Sequence, residues 1–403
     1  MTAFQNRKFK QLKFGTMRKM FFVLLALLVS GSVFSQQFEA PQIDSEEFDS
    51  LKVKVGGDFA IQLQSLDHEA DIELRDLKNN FNLPTANFSI SADLAPGINL
   101  YLNTYLSSRN HNEAWVEGGY LTIDKLPFLR GTDDIMKYFT IKAGVMMPNY
   151  GDAHFYRSNN GNVINNPFVG NWVMDAFTTN PGLEIMYRNK GLLFVAGVNN
   201  GRVNYGRGND IGEDLVFNWK AAYDKDLNDD MRIRASISGF HVGEGHSGAY
   251  LWGGDRAGAR YYNVMQAVDA GDNFRSGRWS PGSGQSEMNS FMGNLFFKFH
   301  GLELFGVVES MNGVKNDVDQ NFTQSAIQAL YRFGDFYAGT RYNHVSDNEE
   351  STVTRMNFGG GWYMTRNIIV KLDYVNQEYE GPAHGDIDGG KFNGLVVEAA
   401  ISF

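Results

Sequence analysis

From Leu51 onward the chain alternates apolar and polar positions with a period of two. The last ten residues, GLVVEAAISF, put Leu395, Val397, Ala399, Ile401 and Phe403 on one side of an extended strand and Val396, Glu398, Ala400 and Ser402 on the other. Near the start, Val53, Val55, Gly57, Phe59, Ile61 and Leu63 alternate with Lys52, Lys54, Asp58, Gln62 and Gln64. Phe88, Ile90, Ala92 and Leu94 alternate with Ser89, Ser91 and Asp93; after the turn Ala95-Pro96-Gly97 come Ile98, Leu100, Leu102 and Leu106 against Asn99, Tyr101, Asn103 and Tyr105. Similar segments lie near 113–124, 138–147, 181–188, 191–200, 214–223, 231–242, 287–299, 302–311, 322–332, 335–346, 352–363, 367–379 and 391–403, giving 16 strands and little helical periodicity.

The connections alternate as well. Short links are expected at 95–97, 189–190, 224–230, 300–301, 334 and 365–366, with a longer stretch at 125–137. Between them fall 65–87, 107–112, 148–180, 201–213, 243–286, 312–321, 347–351 and 380–390, most of them longer. An even number of antiparallel strands with short turns on one rim and long loops on the other predicts an all-β, transmembrane, up-and-down barrel of about 16 strands, with periplasmic turns and extracellular loops. Closure pairs every strand edge, which hydrocarbon would not tolerate open. Tyr138, Phe139, Tyr187, Trp219, Tyr223, Tyr331, Phe333, Trp362, Tyr363 and Phe403 sit at strand ends, where interfacial girdles belong.

The N-terminal residues fix a compartment. Arg18-Lys19 precedes a ten-residue apolar run, Met20–Val29, and Ser30-Gly31-Ser32-Val33-Phe34-Ser35 follows. This is the order of a signal peptide at 1–35, cut before Gln36; a membrane helix needs about 20 apolar residues. Met1 and Met17 are both candidate starts. Residues 36–51 are then a short periplasmic segment and 52–403 the barrel, with a third outer loop at 148–180 inserted into it. Cleavage removes six basic residues and no acids, leaving 30 basic against 46 acidic residues, a net −16. That argues against nucleic-acid partners, whose phosphates ask for a basic face. The absence of Cys excludes disulfides, thiolate metal sites and a cysteine nucleophile.

Taken together, the alternating strands, the leader and the terminal Phe403 resemble a sixteen-stranded Gram-negative outer-membrane porin. Gly144-Val-Met-Met-Pro148 is loosely similar to the phosphate-selective porin O and P group. The resemblance implies a third loop folded into the lumen as a constriction. It also implies recognition of Phe403 by the barrel-assembly machinery, contact with outer-membrane lipid and lipopolysaccharide, and a homotrimer.

Sixteen strands enclose an aqueous channel unless something fills it, and 36–51 is too short for a folded plug. Selectivity would then lie in inward charges and in the third loop. Alternation points Lys52, Lys54, Lys142, Lys220, Arg232, Arg234, Arg341, Arg355 and Lys371 inward, together with Asp58, Glu117, Glu184, Glu303, Glu309, Asp373 and Glu398. Arg232 and Arg234 either bind anions or pair with carboxylates on adjacent strands. Asp152, His154, Arg157 and Asp175 are the titratable groups of the third loop, setting a field at the constriction or pinning the loop to the wall. Arg256, Arg260, Arg275 and Arg278 in 243–286 either meet lipopolysaccharide phosphates or stand solvated.

His241-Val-Gly-Glu244-Gly-His246 lacks a helix to align it as a metal site, and Asp386-Ile-Asp388 and Asp317-Val-Asp319 lack the remaining ligands of a calcium loop. No Ser/His constellation converges on the lipid rows. The expected function is therefore a non-enzymatic, cofactor-free diffusion channel for small hydrophilic solutes or ions. The alternatives are a closed structural or secretion-associated barrel, blocked by 148–180 and 243–286, and an anion (phosphate)-selective channel.

Overall fold

The computed structural model of the protein describes residues 37–43, 48–106, 115–153, 163–202, 215–246, 248–252, 261–272 and 277–403. Sixteen strands close a barrel. They are β1 (Lys52–Glu69), β2 (Asn80–Ala95), β3 (Ile98–Leu106), β4 (Trp115–Ile123), β5 (Phe139–Met146), β6 (Asn180–Asn189), β7 (Leu192–Asn199), β8 (Val216–Asn228) and β9 (Met231–Val242), followed by β12 (Glu287–Phe299), β13 (Leu302–Lys315), β14 (Val318–Phe333), β15 (Phe336–Asp347), β16 (Thr352–Thr365), β17 (Ile368–Glu380) and β18 (Lys391–Ser402). Two short strands, β10 (Ala249–Tyr250) and β11 (Ser283–Gln285), pair with each other in the 243–286 connection. One helical turn, α1 (Asp133–Met136), sits in the β4–β5 link.

Each barrel strand pairs antiparallel with its sequence neighbour, and β18 closes on β1 with Asp58 opposite Ser402 and Glu69 opposite Lys391. The terminal residue takes part: Phe403 and Gly57 exchange two backbone hydrogen bonds of 3.0 and 3.1 Å. The chain end thus completes a ladder at the short-turn rim, with the Phe403 ring lying over Gly57, where a Cβ would come within 2.7 Å of it.

Three boundaries differ from the alternation reading. Strands β1 and β2 run on to Glu69 and back from Asn80, so the expected 65–87 loop shrinks to 70–79. The link expected at 224–230 is the pair 229–230, because β8 continues to Asn228 across a register shift. The loop expected at 312–321 is a two-residue turn, Asn316-Asp317, with φ of 52° and 61°. Such mirror-image turns match the twist of a hairpin, and Asn and Asp tolerate the left-handed backbone they require. In each case ladder bonds reward extension where the side chains no longer alternate clearly.

The exterior is apolar. Leu102, Ile185, Phe194, Phe217, Ile237, Leu295, Val308, Ile327, Phe358, Leu372 and Leu395 are among its exposed large side chains. Near the short-turn rim aromatic rings stack along the wall, Tyr331–Phe333, Phe333–Phe336 and Phe336–Trp362 at 6.4, 6.0 and 5.8 Å, and Phe139–Tyr187 packs tilted at 5.3 Å. An apolar band with aromatic girdles is the exterior that hydrocarbon requires. Tyr363 departs from the girdle expectation: it points inward, packing with the lumen core, because adjacent residues of a strand face opposite ways. No helix among the described residues is long and apolar enough to cross a membrane, which says nothing of strands.

Candidate functional site

The lumen is where the inward residues meet, and most of it is packed. Inward Phe240, Met288, Met292, Phe296, Phe305, Val307, Val345 and Val375 form a buried cluster with Tyr150, Val169, Trp172, Val173 and Met174 of the third loop and with Leu251, Trp252, Tyr261, Val264 and Met265 of 243–286. The described residues of the third loop lie at two places, 149–153 beside β8, β9 and β12 and 163–174 against β14–β17 on the opposite wall.

At its entry, Asp152 is anchored to β8, β9 and β12. Its carboxylate accepts from Arg234 Nε and Nη2 at 2.8 Å each, from Lys220 Nζ at 2.9 Å and from Ser236 Oγ at 2.7 Å. Its backbone N–H donates to Asn294 Oδ1 at 2.9 Å. Burial alone would raise the Asp152 carboxyl, but the Lys220 charge, the Arg234 bonds and charge and the Ser236 bond together hold it well below the usual carboxylate range. Gly151 makes this approach possible: at φ 67° a Cβ would lie 2.2 Å from Met292 Sδ.

On the far wall the inward polar residues of β14–β17 bind the loop's backbone. Lys371 Nζ donates to Val163 O at 2.6 Å, Tyr337 Oη to Pro167 O at 2.8 Å, Arg341 Nη1 to Gly170 O at 2.9 Å and Arg355 Nη1 to Asn171 O at 2.6 Å. In return the N–H groups of Val169, Val173 and Met174 donate to Asp373, Asn343 and Gln324 at 2.9, 2.6 and 3.1 Å. Arg341 also lies over the rings of Trp172 and Phe168, at 4.1 and 4.8 Å. A backbone segment away from water needs partners for its amides and carbonyls, and this wall supplies them.

The predicted residues thus separate by task. Asp152 with Lys220 and Arg234 locks the loop at its root; Arg341, Arg355, Lys371 and Asp373 clamp its far half. Arg232 and Arg234 are paired rather than exposed: Arg232 Nη2 meets Asp224 Oδ2 at 2.7 Å, and Arg234 Nη2 meets Glu39 Oε1 at 2.7 Å. Asp175 is buried beside the same core. His154, Arg157, Arg256, Arg260 and Arg275 lie outside the described residues. Lys52 and Lys54, expected inside, pair with Asp49 and Asp93 in exposed surroundings, because β1 overhangs the rim there. His241 stacks outward against Trp219, whereas His246 is buried against Asn200 O, so they do not share a site. No cluster able to hold a metal occurs among the described residues.

Lys142, Glu117 and Glu184 go elsewhere. They line a cavity of about 390 Å³ along the β3–β6 wall, with Asn99, Tyr101, Asn103, Tyr120, Thr122, Thr140 and Arg188. Lys142 Nζ lies 4.9 Å from the Tyr120 ring centre, and Arg188 Nη1 donates to Thr140 Oγ1 at 2.8 Å. The two carboxylates are held by amides, Glu117 by Asn87 and Asn103 at 2.9 and 2.6 Å, Glu184 by Asn218 and the Asn149 N–H at 2.7 Å each. This is an unfilled part of the lumen, with charges of both signs among apolar side chains such as Ile43, Val145, Met146 and Met186.

Residues 37–43, a segment the alternation pattern says nothing about, also enter the barrel. Phe38 is buried with Phe296 and Phe305, at 5.2 and 6.4 Å between rings, and Arg234 lies 4.5 Å from its ring centre. Its sequence signal is a single Phe-Glu pair in a polar stretch.

The geometry is that of a closed, sixteen-stranded antiparallel barrel with an inward third loop. The chain matches no protein-family model and no curated protein. Among solved structures it is similar to an anion-selective porin from Comamonas acidovorans, at 11% identity and TM-score 0.53 over 88% of this chain and all (100%) of that one. It is also similar to Salmonella typhi OmpF in complex with daunomycin, at 12% identity and TM-score 0.50 over 87% and 97%. A third similar structure is in-vitro folded Vibrio cholerae OmpT in a trimer form, at 9% identity and TM-score 0.50 over 88% and 100%. Identities this low establish the fold.

Proposed function

We propose that this protein is an outer-membrane porin that passes small hydrophilic solutes or ions by passive diffusion, and that their route is the cavity along the β3–β6 wall. The observation that carries this reading is a cavity of about 390 Å³, lined by charged and polar side chains among apolar ones, inside a closed barrel with an apolar exterior. The opposite half is packed by the third loop, so the conduit is narrower than sixteen strands allow. Lys142 and Arg188 across from Glu117 and Glu184 favour weak charge selectivity, which distinguishes this chain from a dedicated anion or phosphate channel. A leader at 1–35, contact with lipid and lipopolysaccharide, delivery by the barrel-assembly machinery through Phe403 and a homotrimer complete the proposal; the trimer form of the Vibrio cholerae neighbour supports the last.

Refolded protein in planar bilayers should give ohmic steps with a reversal potential near zero in a KCl gradient. Stable absence of steps from the parent and from a barrel lacking residues 37–43 would refute a channel, and strong anion preference would restore the phosphate-type reading. A closed structural barrel is the competing account. The third loop's packing of Trp172, Val173 and Met174 into the lumen core favours it, and silence both of the parent and of a barrel lacking residues 37–43 would support it.

A further inference from the structure

Below the β3–β6 cavity lies a second one, of about 360 Å³, at the short-turn rim between the β6–β7 turn and the ends of β8 and β9. The two share Phe38, Glu39, Ala40, Pro41 and Arg188 as lining. Residues 37–43 are therefore the partition between an upper chamber and the mouth of the barrel.

We propose that residues 37–43 form a displaceable gate across the conduit, and that Glu39 masks the cations Lys220 and Arg234 while the gate is seated. This deepens the porin reading and rests on it. The segment joins no strand ladder. Among its contacts, side chains of the wall hold it at several points. Phe38 inserts between the core and Arg234. Glu39 bridges Arg234 at 2.7 Å and Lys220 at 3.4 Å. On the other side Gln42 Nε2 donates to Phe139 O at 3.0 Å, and the Ile43 N–H donates to Asp124 Oδ2 at 2.7 Å. Arg188 Nη2 holds Ala40 O at 3.1 Å between these anchors. Side-chain anchors on a segment without ladder bonds open at a smaller free-energy cost than a barrel strand.

Charge gives the proposal a second readout. Lys220, Arg232 and Arg234 are balanced by Asp152, Asp224 and Glu39. Withdrawing Glu39 removes one of the three acids facing this cluster, whose Arg232 and Arg234 line the rim-side cavity, and so shifts the local balance toward anions.

The test compares the full barrel, a barrel lacking residues 37–43, and the chain-length-preserving double substitution Phe38→Ala/Glu39→Gln, each refolded and checked by heat-shifted gel migration. In planar bilayers both variants should conduct roughly twofold or more above the parent, with reversal potentials displaced toward anions. A silent parent with conducting variants would equally support the gate. Unchanged conductance in a correctly folded variant, or a reversal potential that stays in place or moves toward cations, would overturn it while leaving the porin reading intact. If parent and variants are all silent, the porin reading fails and the gate fails with it.

Discussion

Asp152 shows how one side chain decides where a loop goes. Two cations and a hydroxyl converge on it in a site with almost no solvent exposure, and such a group is costly to leave half-paired. Asp152→Asn should destabilise the barrel by about 3 kcal/mol, since it removes the most buried of the counter-charges of Lys220 and Arg234 and leaves Glu39 and Asp224 to balance them alone; thermal unfolding in detergent measures it. The pH dependence has a definite sign. Because the folded carboxyl is held below its unfolded value, near 3.9, its contribution is complete above that value and is lost as pH falls through and below it. The parent should therefore lose thermal stability from about pH 5 downward more steeply than Asp152→Asn. Parallel curves would remove Asp152 from this role.

At the scale of elements, alternation made the sixteen strands readable, because a period of two with one apolar face is imposed wherever a wall separates two solvents. It also placed the inward charges of β8, β9 and β15–β17. Less legible was what the charges do. Alternation marks Arg341, Arg355 and Lys371 only as inward charges of a mixed wall, and they donate to backbone carbonyls of the third loop. A signal was present in the inward amides Gln324, Gln328, Asn343, Asn357 and Gln377, which suit a wall that receives backbone rather than water. The hairpin at Asn316-Asp317 was hidden because its flanks are polar, and the entry of Phe38 has no periodicity to reveal it. One prediction belongs here. Excising 163–174, the stretch clamped by β14–β17, should open the packed half and raise conductance; unchanged conductance would mean that this stretch does not occlude the lumen.

For the whole molecule, a barrel whose outside suits hydrocarbon encloses an inside divided unequally between a packed part and the cavity along β3–β6. Two low-sequence loops and the N-terminal segment do the dividing, so the fold alone does not set the pore. Barrels of one architecture can thus differ in throughput according to what their connections place inside. The absence of cysteine from all 403 residues makes the division directly measurable. Single cysteines at Thr122, on the β3–β6 cavity, and at Gln328, under the third loop, can be challenged with a bulky water-soluble thiol reagent during single-channel recording. The account predicts block of Thr122→Cys and no effect on Gln328→Cys; block through Gln328→Cys with Thr122→Cys untouched would contradict it.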